Sequence, residues 1–199
     1  MARYPTDLIT LIAYLRKLPG VGSKTAERFA FHLLSWPEMQ VGSLADLIGS
    51  IKNKIKYCSE CGCLSENANC FFCTQEQRSS GHLCLVATPK DVYAIEETRI
   101  YQGLYHVLGG LLSPIQGCTP EQLGIEKIKE RVVQRGIKEI IIALDSTLEG
   151  DATALYLKEQ IQSWGIKASR LAFGLPMGST LDFIDGGTLT RALMGRQFL

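Results

Sequence analysis

The chain has 199 residues, 46% hydrophobic and 21% charged, a balance that excludes a disordered chain and leaves room for one ordinary domain with one or two small modules. It holds no run of 18 apolar residues and its start, MARYPTDL, has no signal-peptide core, so neither a transmembrane helix nor export is expected, and seven cysteines without an export signal point to a reducing cytoplasm. The net charge of +1 conceals an asymmetry: residues 1–57 hold eight Lys/Arg against four Asp/Glu, whereas residues 58–199 hold thirteen against sixteen, so a basic N-terminal module precedes a mildly acidic remainder.

In chain order, Pro5-Thr6-Asp7 reads as a helix start, with Leu8, Leu11, Ile12, Leu15 and Leu18 at helical spacing. Pro19-Gly20-Val21-Gly22 breaks that helix, and Ser23 is expected to cap a second one whose stripe is Ala26, Phe29, Ala30 and Leu33. Trp36-Pro37 ends it, and a third helix is expected over residues 41–57. Beyond residue 80 the pattern changes to strands alternating with helices. Strands are predicted at 83–87, 105–108, 139–144 and 169–173, and helices at 90–98, from Thr119-Pro120 onward, and through Ala154, Leu157, Ile161 and Trp164. That rhythm predicts an α/β fold: a parallel sheet covered by helices on both faces. Gly174–Thr180 reads as a loop between elements.

Residues 18–28, LPGVGSKTAER, superficially suggest a phosphate loop. A P-loop needs glycines where Ser23 and Leu18 stand, and the dinucleotide pattern needs one at Thr25, so nucleotide hydrolysis there is not expected. What remains is a two-glycine turn between amphipathic helices, where Gly20 and Gly22 let backbone approach a phosphate and Lys24 and Arg28, four apart, reach the same strand. The segment resembles the helix-hairpin-helix motif, a sequence-independent binder of the DNA backbone.

Residues 58–73, CSECGCLSENANCFFC, hold two Cys-x-x-Cys pairs, Cys58/Cys61 and Cys70/Cys73. Two such pairs complete the tetrahedral thiolate shell that zinc prefers and leave no open position, so one structural Zn²⁺ per chain is expected rather than a catalytic metal. Cys63 is a fifth thiol outside the pairing; its replacement by Ser is expected to cost neither metal nor stability. Cys84 and Cys118 read as bystanders, and His32, His82 and His106 lack ligand spacing. Tyr101 and Tyr105 suit sheet packing better than a groove for single-stranded DNA.

The strand at 139–144 runs into AspSerThrLeuGluGlyAsp, so Asp145, Glu149 and Asp151 lie at its C-terminal end, where open α/β sheets place their sites. The segment is similar to the acidic DxDxEG loop of Toprim domains, in which an earlier Glu joins two Asp residues to hold Mg²⁺. Here the second Asp is Thr147 and the earlier Glu is Ala87, so two of three carboxylate positions are lost, bound Mg²⁺ is not expected, and a Mg²⁺-dependent nuclease or primase-like enzyme is the lesser alternative. Clustered acids suit protein docking, and acids also favour a helix N-terminus.

The order of hairpin (residues 1–57), four-cysteine finger (58–73), Toprim-like domain (81–175) and C-terminal segment (176–199) resembles the bacterial RecR family over essentially the whole chain. The matching stretches include LPGVGSKTAERFAFHLL, residues 105–117, EGDATA at 149–154 and residues 169–189. The resemblance implies a non-enzymatic mediator of recombinational repair, assembling as a ring-like homotetramer around single- and double-stranded DNA. It further implies partnership with RecO and RecF in loading a recombinase, with the hairpin facing DNA and the Toprim acids facing partner protein. The four cysteines between the two modules are expected to fix the angle between them.

Overall fold

The computed structural model describes residues 4–66, 70–74, 78, 81–114 and 117–196, in two compact units, Met1–Lys54 and Ile55–Leu199. Parts of the sequence-stretches above, residues 1–3, 67–69, 115–116 and 197–199, lie outside the described residues.

The first unit is helical. Helix α1 (Thr6–Leu15) packs on α2 (Ser23–Leu34), and α3 (Glu38–Lys54) follows. Small residues dominate what this unit buries: Ala26 and Ala30 on α2 are fully buried, and on α1 Leu8 alone is buried. The expected stripe is therefore narrower than its hydrophobicity suggests, and Phe29 stays 39% exposed. The α3 helix begins three residues before the expected 41 and stops at Lys54, and it buries none of its residues. Leu47, Ile48 and Ile51 lie exposed on it.

Lys56–Tyr57 form not the end of that helix but strand β1, which pairs antiparallel with β2 (Leu64–Ser65), Lys56 opposite Ser65 and Tyr57 opposite Leu64. A short helix α4 (Phe71–Thr74) follows. The main sheet then comprises β3 (His82–Val86), β4 (Leu104–Val107), β5 (Glu139–Ala143) and β6 (Lys167–Arg170), all parallel, in the order β4-β3-β5-β6. The connections are α5 (Pro89–Glu97), a 3₁₀ turn (Pro120–Leu123) running into α6 (Ile125–Arg135), and α7 (Leu148–Ser163); a last helix α8 (Gly186–Met194) lies near the end.

Sequence punctuation explains these boundaries. Thr88 caps α5, its backbone N–H donating to Asp91 Oδ2 at 2.7 Å, with Pro89 at the first helical position. The helix expected from Thr119-Pro120 is interrupted because Gly124 takes a left-handed conformation (φ 62°), which ends the 3₁₀ turn and starts α6. Strand β6 lies two to three residues earlier than predicted. Its ladder with β5 ends at Ile142 opposite Arg170; Leu171 N–H still reaches Ile142 O at 3.4 Å, and the chain then leaves the sheet.

Alternation along the strands divides the core in two. Leu83, Leu85, Ile140 and Ile142 face α6 and α7, meeting Ile128, Val132, Leu157 and Ile161. Cys84, Val86, Tyr105 and Val107 face α5 and the cysteine finger, meeting Val92, Phe72, Cys61 and Cys70. Each fully buried Leu or Ile contributes about 1.5–3 kcal/mol, and both faces are covered as the βαβ pattern predicts. Tyr101 and Tyr105 belong to this second core, ring centroids 4.9 Å apart, with Tyr105 fully buried, so neither offers a face to a base. Burial also pushes the Cys84 thiol up to about 12, in keeping with a packing role.

His106 on β4 is 7% exposed, and its Nδ1 has no hydrogen-bond partner among the described residues. Burial, with the Arg131 and Lys127 charges nearby, lowers its pKa to about 4. A neutral buried imidazole favours the folded state fully above the unfolded pKa of about 6.5, and that contribution is lost as pH falls toward the folded value. The expected loss is about 3 kcal/mol between pH 6.5 and 4. His106→Gln should flatten this part of the acid dependence relative to wild type, as read from urea midpoints at pH 7 and pH 4.5.

Candidate functional site

Three groups of side chains carry chemistry. In the hairpin, the chain turns at Gly20, whose φ of 77° suits glycine, and enters α2 through Gly22. The N-cap is Gly22 rather than the expected Ser23, which is the first helical residue, and no side chain caps the turn. Among the described residues no side chain meets the leading N–H groups of α2, which carry the positive end of the helix dipole. Open space surrounds both glycines: nothing lies within 4 Å of where a Cβ would stand on either. Lys24 and Arg28 are both exposed, the Arg28 guanidinium 6.0 Å from the Phe29 ring centroid. Such a surface can receive a phosphate without reading a base.

The four cysteines converge. Cys61 and Cys70 sulfurs lie 3.5 Å apart, Cys58 and Cys73 sulfurs 4.0 Å apart, and all four fall within 4.8 Å of one another. A tetrahedron of sulfurs around zinc at about 2.3 Å has edges of about 3.8 Å, so the set is close to the size the ion requires. The first pair comes from the β1–β2 turn, closed by Cys58 N–H to Cys63 O at 2.8 Å and Gly62 N–H to Cys58 O at 2.9 Å. Gly62 has φ 75°, and a Cβ there would stand 3.0 Å from Val107 Cβ. The second pair comes from the start of α4, where Cys70 O accepts from Cys73 N–H at 3.0 Å. Burial pushes the Cys70 thiol up to about 11 and hydrogen bonding to Cys61 raises Cys73, whereas at Cys58 burial is outweighed by backbone hydrogen bonds from Cys61 and Glu60, which lower it. Cys63 is 1% exposed and packed in the same core, so it is not the indifferent position the spacing implied.

The finger is also part of the sheet unit. Val107 N–H on edge strand β4 donates to Cys61 O at 2.8 Å. Arg131 from α6, 3% exposed, donates through Nη1 to Tyr105 O on the same edge, through Nε to Glu60 Oε1 at 3.1 Å, and through Nη2 to Cys73 Sγ at 3.4 Å. Glu60 also accepts from Arg135 Nη2 at 2.8 Å. Burial alone would raise the Glu60 carboxyl, but its bonds from Arg135 and Arg131 hold it below its usual value. Arg78, 8% exposed, pairs with Glu96 and reaches Gly103 O at 3.2 Å. Sequence reading missed these arginines. Arg131 carries a signal in retrospect, since a charge stands three residues after Ile128, where the α6 stripe calls for an apolar side chain.

At the C-terminal end of β5, the structure separates the three acids. Asp145 and Glu149 are exposed. Asp151 is engaged: Arg170 Nη2 meets Oδ1 at 2.6 Å, Arg191 Nη2 from α8 meets Oδ2 at 2.6 Å, and both guanidinium carbons lie 4.8 Å from the Phe173 ring centroid. The Arg170 hydrogen bond in particular holds the Asp151 carboxyl below its usual value. Arg191 also donates to Ser146 Oγ. Thr147, standing where the acidic pattern has its second Asp, caps α7 by accepting from Gly150 N–H at 3.0 Å. Gly150 follows from the fold, for a Cβ there would lie 2.0 Å from Asp145 O. Asp151, Lys158 and Arg170 line an open groove of about 440 Å³ between α7 and β6.

Family signatures match three parts of this chain: the RecR helix-hairpin-helix over residues 8–51, the Toprim domain over 81–172 and the RecR C-terminal segment over 174–197. Among curated relatives, Recombination protein RecR of Protochlamydia amoebophila is 57% identical over 194 residues, covering 98% of each chain. Recombination protein RecR of Chlamydia pneumoniae is 48% identical over 98% of each chain, and that of Geobacter sulfurreducens 44% identical over the full length of both.

Proposed function

The chain belongs to the RecR family of recombination proteins and has a role in recombinational repair; from that premise we propose that it is a non-enzymatic mediator that binds DNA as a closed oligomer. The observation that carries the reading is the open two-glycine turn, with the uncapped N-terminus of α2 flanked by exposed Lys24 and Arg28. Such a surface takes single- and double-stranded DNA alike, through phosphates. A single small basic module binds weakly, so affinity comes from several copies, a homotetramer closed around the duplex. Exposed apolar side chains in α3 and in the C-terminal segment support assembly with further copies: Ile48 is 65% exposed and Phe183 86%.

In this reading the four cysteines hold one structural Zn²⁺ that stabilises the sheet unit and takes no part in chemistry. RecO and RecF are the partner proteins, in the cytoplasm, and Asp145 and Glu149 are the acids free to meet them, while Asp151 is committed to Arg170 and Arg191. Thr147 as a helix cap and Ala87 at the end of β3 disfavour a Mg²⁺-dependent nuclease. The test is an electrophoretic and anisotropy titration of labelled single- and double-stranded oligonucleotides in Mg²⁺ or Mn²⁺, with product length monitored. Bound, uncut DNA is expected; cleavage abolished by Glu149→Ala would establish the enzyme instead.

A further inference from the structure

The four-cysteine cluster has a charge problem that its own residues do not solve. Cys61, Cys70 and Cys73 are nearly inaccessible to solvent, at 0%, 2% and 8% exposure. Four thiolates around a divalent ion leave a net charge of −2, and burying it requires compensation from the protein. Amide hydrogen bonds give part of it, as where Cys63 N–H donates to Cys61 Sγ at 3.4 Å. Among the described residues the remainder has one evident source. Arg131 is almost fully buried, and its Nη2 lies 3.4 Å from Cys73 Sγ. Its carboxylate partner Glu60 is shared with Arg135, the two contacts being 3.1 and 2.8 Å. Two guanidinium groups on one carboxylate leave one positive charge over, and it sits beside the sulfurs.

We propose that Arg131 is the built-in counter-ion of the four-thiolate centre, a positioning residue that tunes metal affinity through Cys73 and ties metal loading to the edge of the main sheet. The coupling follows from the fork of one guanidinium. Nη2 serves the sulfur, Nη1 serves the Tyr105 carbonyl on edge strand β4, and Nε serves Glu60 in the turn of the first cysteine pair. A lysine has the charge but not the fork and cannot serve all three acceptors in their fixed directions. Loading the metal converts a thiol beside Arg131 into a thiolate, strengthening a contact that also holds α6 on β4. Loss of metal leaves a buried cation with half a carboxylate.

This inference rests on the zinc reading, and one set of measurements separates the two. Wild-type protein, Arg131→Met, Arg131→Lys and Arg135→Met are compared by competition with a chromophoric zinc chelator and by absorption of the cobalt(II)-substituted forms. Arg131→Met should weaken zinc binding about 10–100-fold, the usual effect of losing a hydrogen-bond partner of a metal ligand. Its thiolate-to-cobalt charge-transfer band should move to lower energy, because the sulfur has lost a hydrogen bond that held its lone pair down. Arg131→Lys should show a smaller loss and the same direction of band shift, and it carries the comparison where the Met variant does not fold. Arg135→Met, which touches Glu60 but no sulfur, should leave the band in place and, by giving Glu60 wholly to Arg131, weaken zinc binding by less than Arg131→Met does. Wild-type affinity and an unmoved band in both Arg131 variants would overturn the counter-ion role alone. A wild-type chain that takes up no metal on its four cysteines would overturn the zinc reading and this inference with it.

Discussion

Lys24→Ala combined with Arg28→Ala should lower affinity for both single- and double-stranded oligonucleotides at least about 100-fold at roughly 50 mM salt, without changing the fold. The magnitude follows from counterion release: two lost phosphate contacts remove about 1.4–1.8 from the slope of log K against log salt for each hairpin engaged, which at that salt is a factor of about 10² for one hairpin and more where several copies touch the DNA. Both side chains are exposed, so neither substitution opens a cavity or strands a buried partner. Fluorescence anisotropy over a salt series gives affinity and slope together, and circular dichroism checks the helices. Because the contacts are to phosphate, the loss should be uniform across base sequences. An adaptor that works only through protein contacts would instead show unchanged binding and an unchanged slope, and that result would remove DNA from the function of the hairpin.

Cys61→Ser should abolish metal binding and destabilise the sheet unit by on the order of 4 kcal/mol or more, the range associated with losing a structural metal. Cys61 is fully buried and sits in a fixed turn. Its loss leaves three sulfurs, and the backbone carbonyl that holds Val107 N–H moves with it. Chelation of wild-type protein should reproduce the destabilisation, and the metal content of both samples by mass spectrometry connects effect to cause. Cys63→Ser behaves differently. It should keep the metal but cost about 1–3 kcal/mol, since a hydroxyl replaces a thiol at a buried position with no added partner. Equal stability of Cys61→Ser and wild type in urea, with metal absent from both, would mean that the finger holds itself together by packing.

Much of the fold was legible in the sequence because its signals are local. The βαβ rhythm, the Thr119-Pro120 start and the Cys-x-x-Cys spacing each depend on residues within one turn or strand of one another, and each appears in the structure within a few positions. The misreadings share a different physics. Ser23 looked like a cap because of its type, but Gly22 takes the extended conformation that an N-cap needs. The last strand was placed too late because only its neighbour β5 decides where a ladder stops. Cys63 looked indifferent because spacing reveals ligands and not burial. The acidic loop was read as a set of three, but Asp151 is claimed by Arg170 and Arg191, one 19 and the other 40 residues downstream. The partner in such a long-range ion pair leaves no local trace: a charge in the α6 stripe marks Arg131, but nothing beside it points to Glu60, 71 residues away.

The cysteine finger was expected to fix the angle between two modules. In the structure it is housed with the sheet, in the unit that begins at Ile55, and its Cys61 O accepts the hydrogen bond of Val107 N–H on the outer edge of β4. That decides where the chain can be cut. A fragment opening at residue 55 keeps Cys61 O over Val107 and Glu60 under Arg131, with its sheet edge still sealed. A fragment trimmed to the Toprim boundary at residue 81 looks tidier by family signature, yet it strips a hydrogen-bonding edge bare, turns Arg131 loose and leaves Phe72's place in the second core empty. For dissecting this protein, the seam lies before the first cysteine, not after the last.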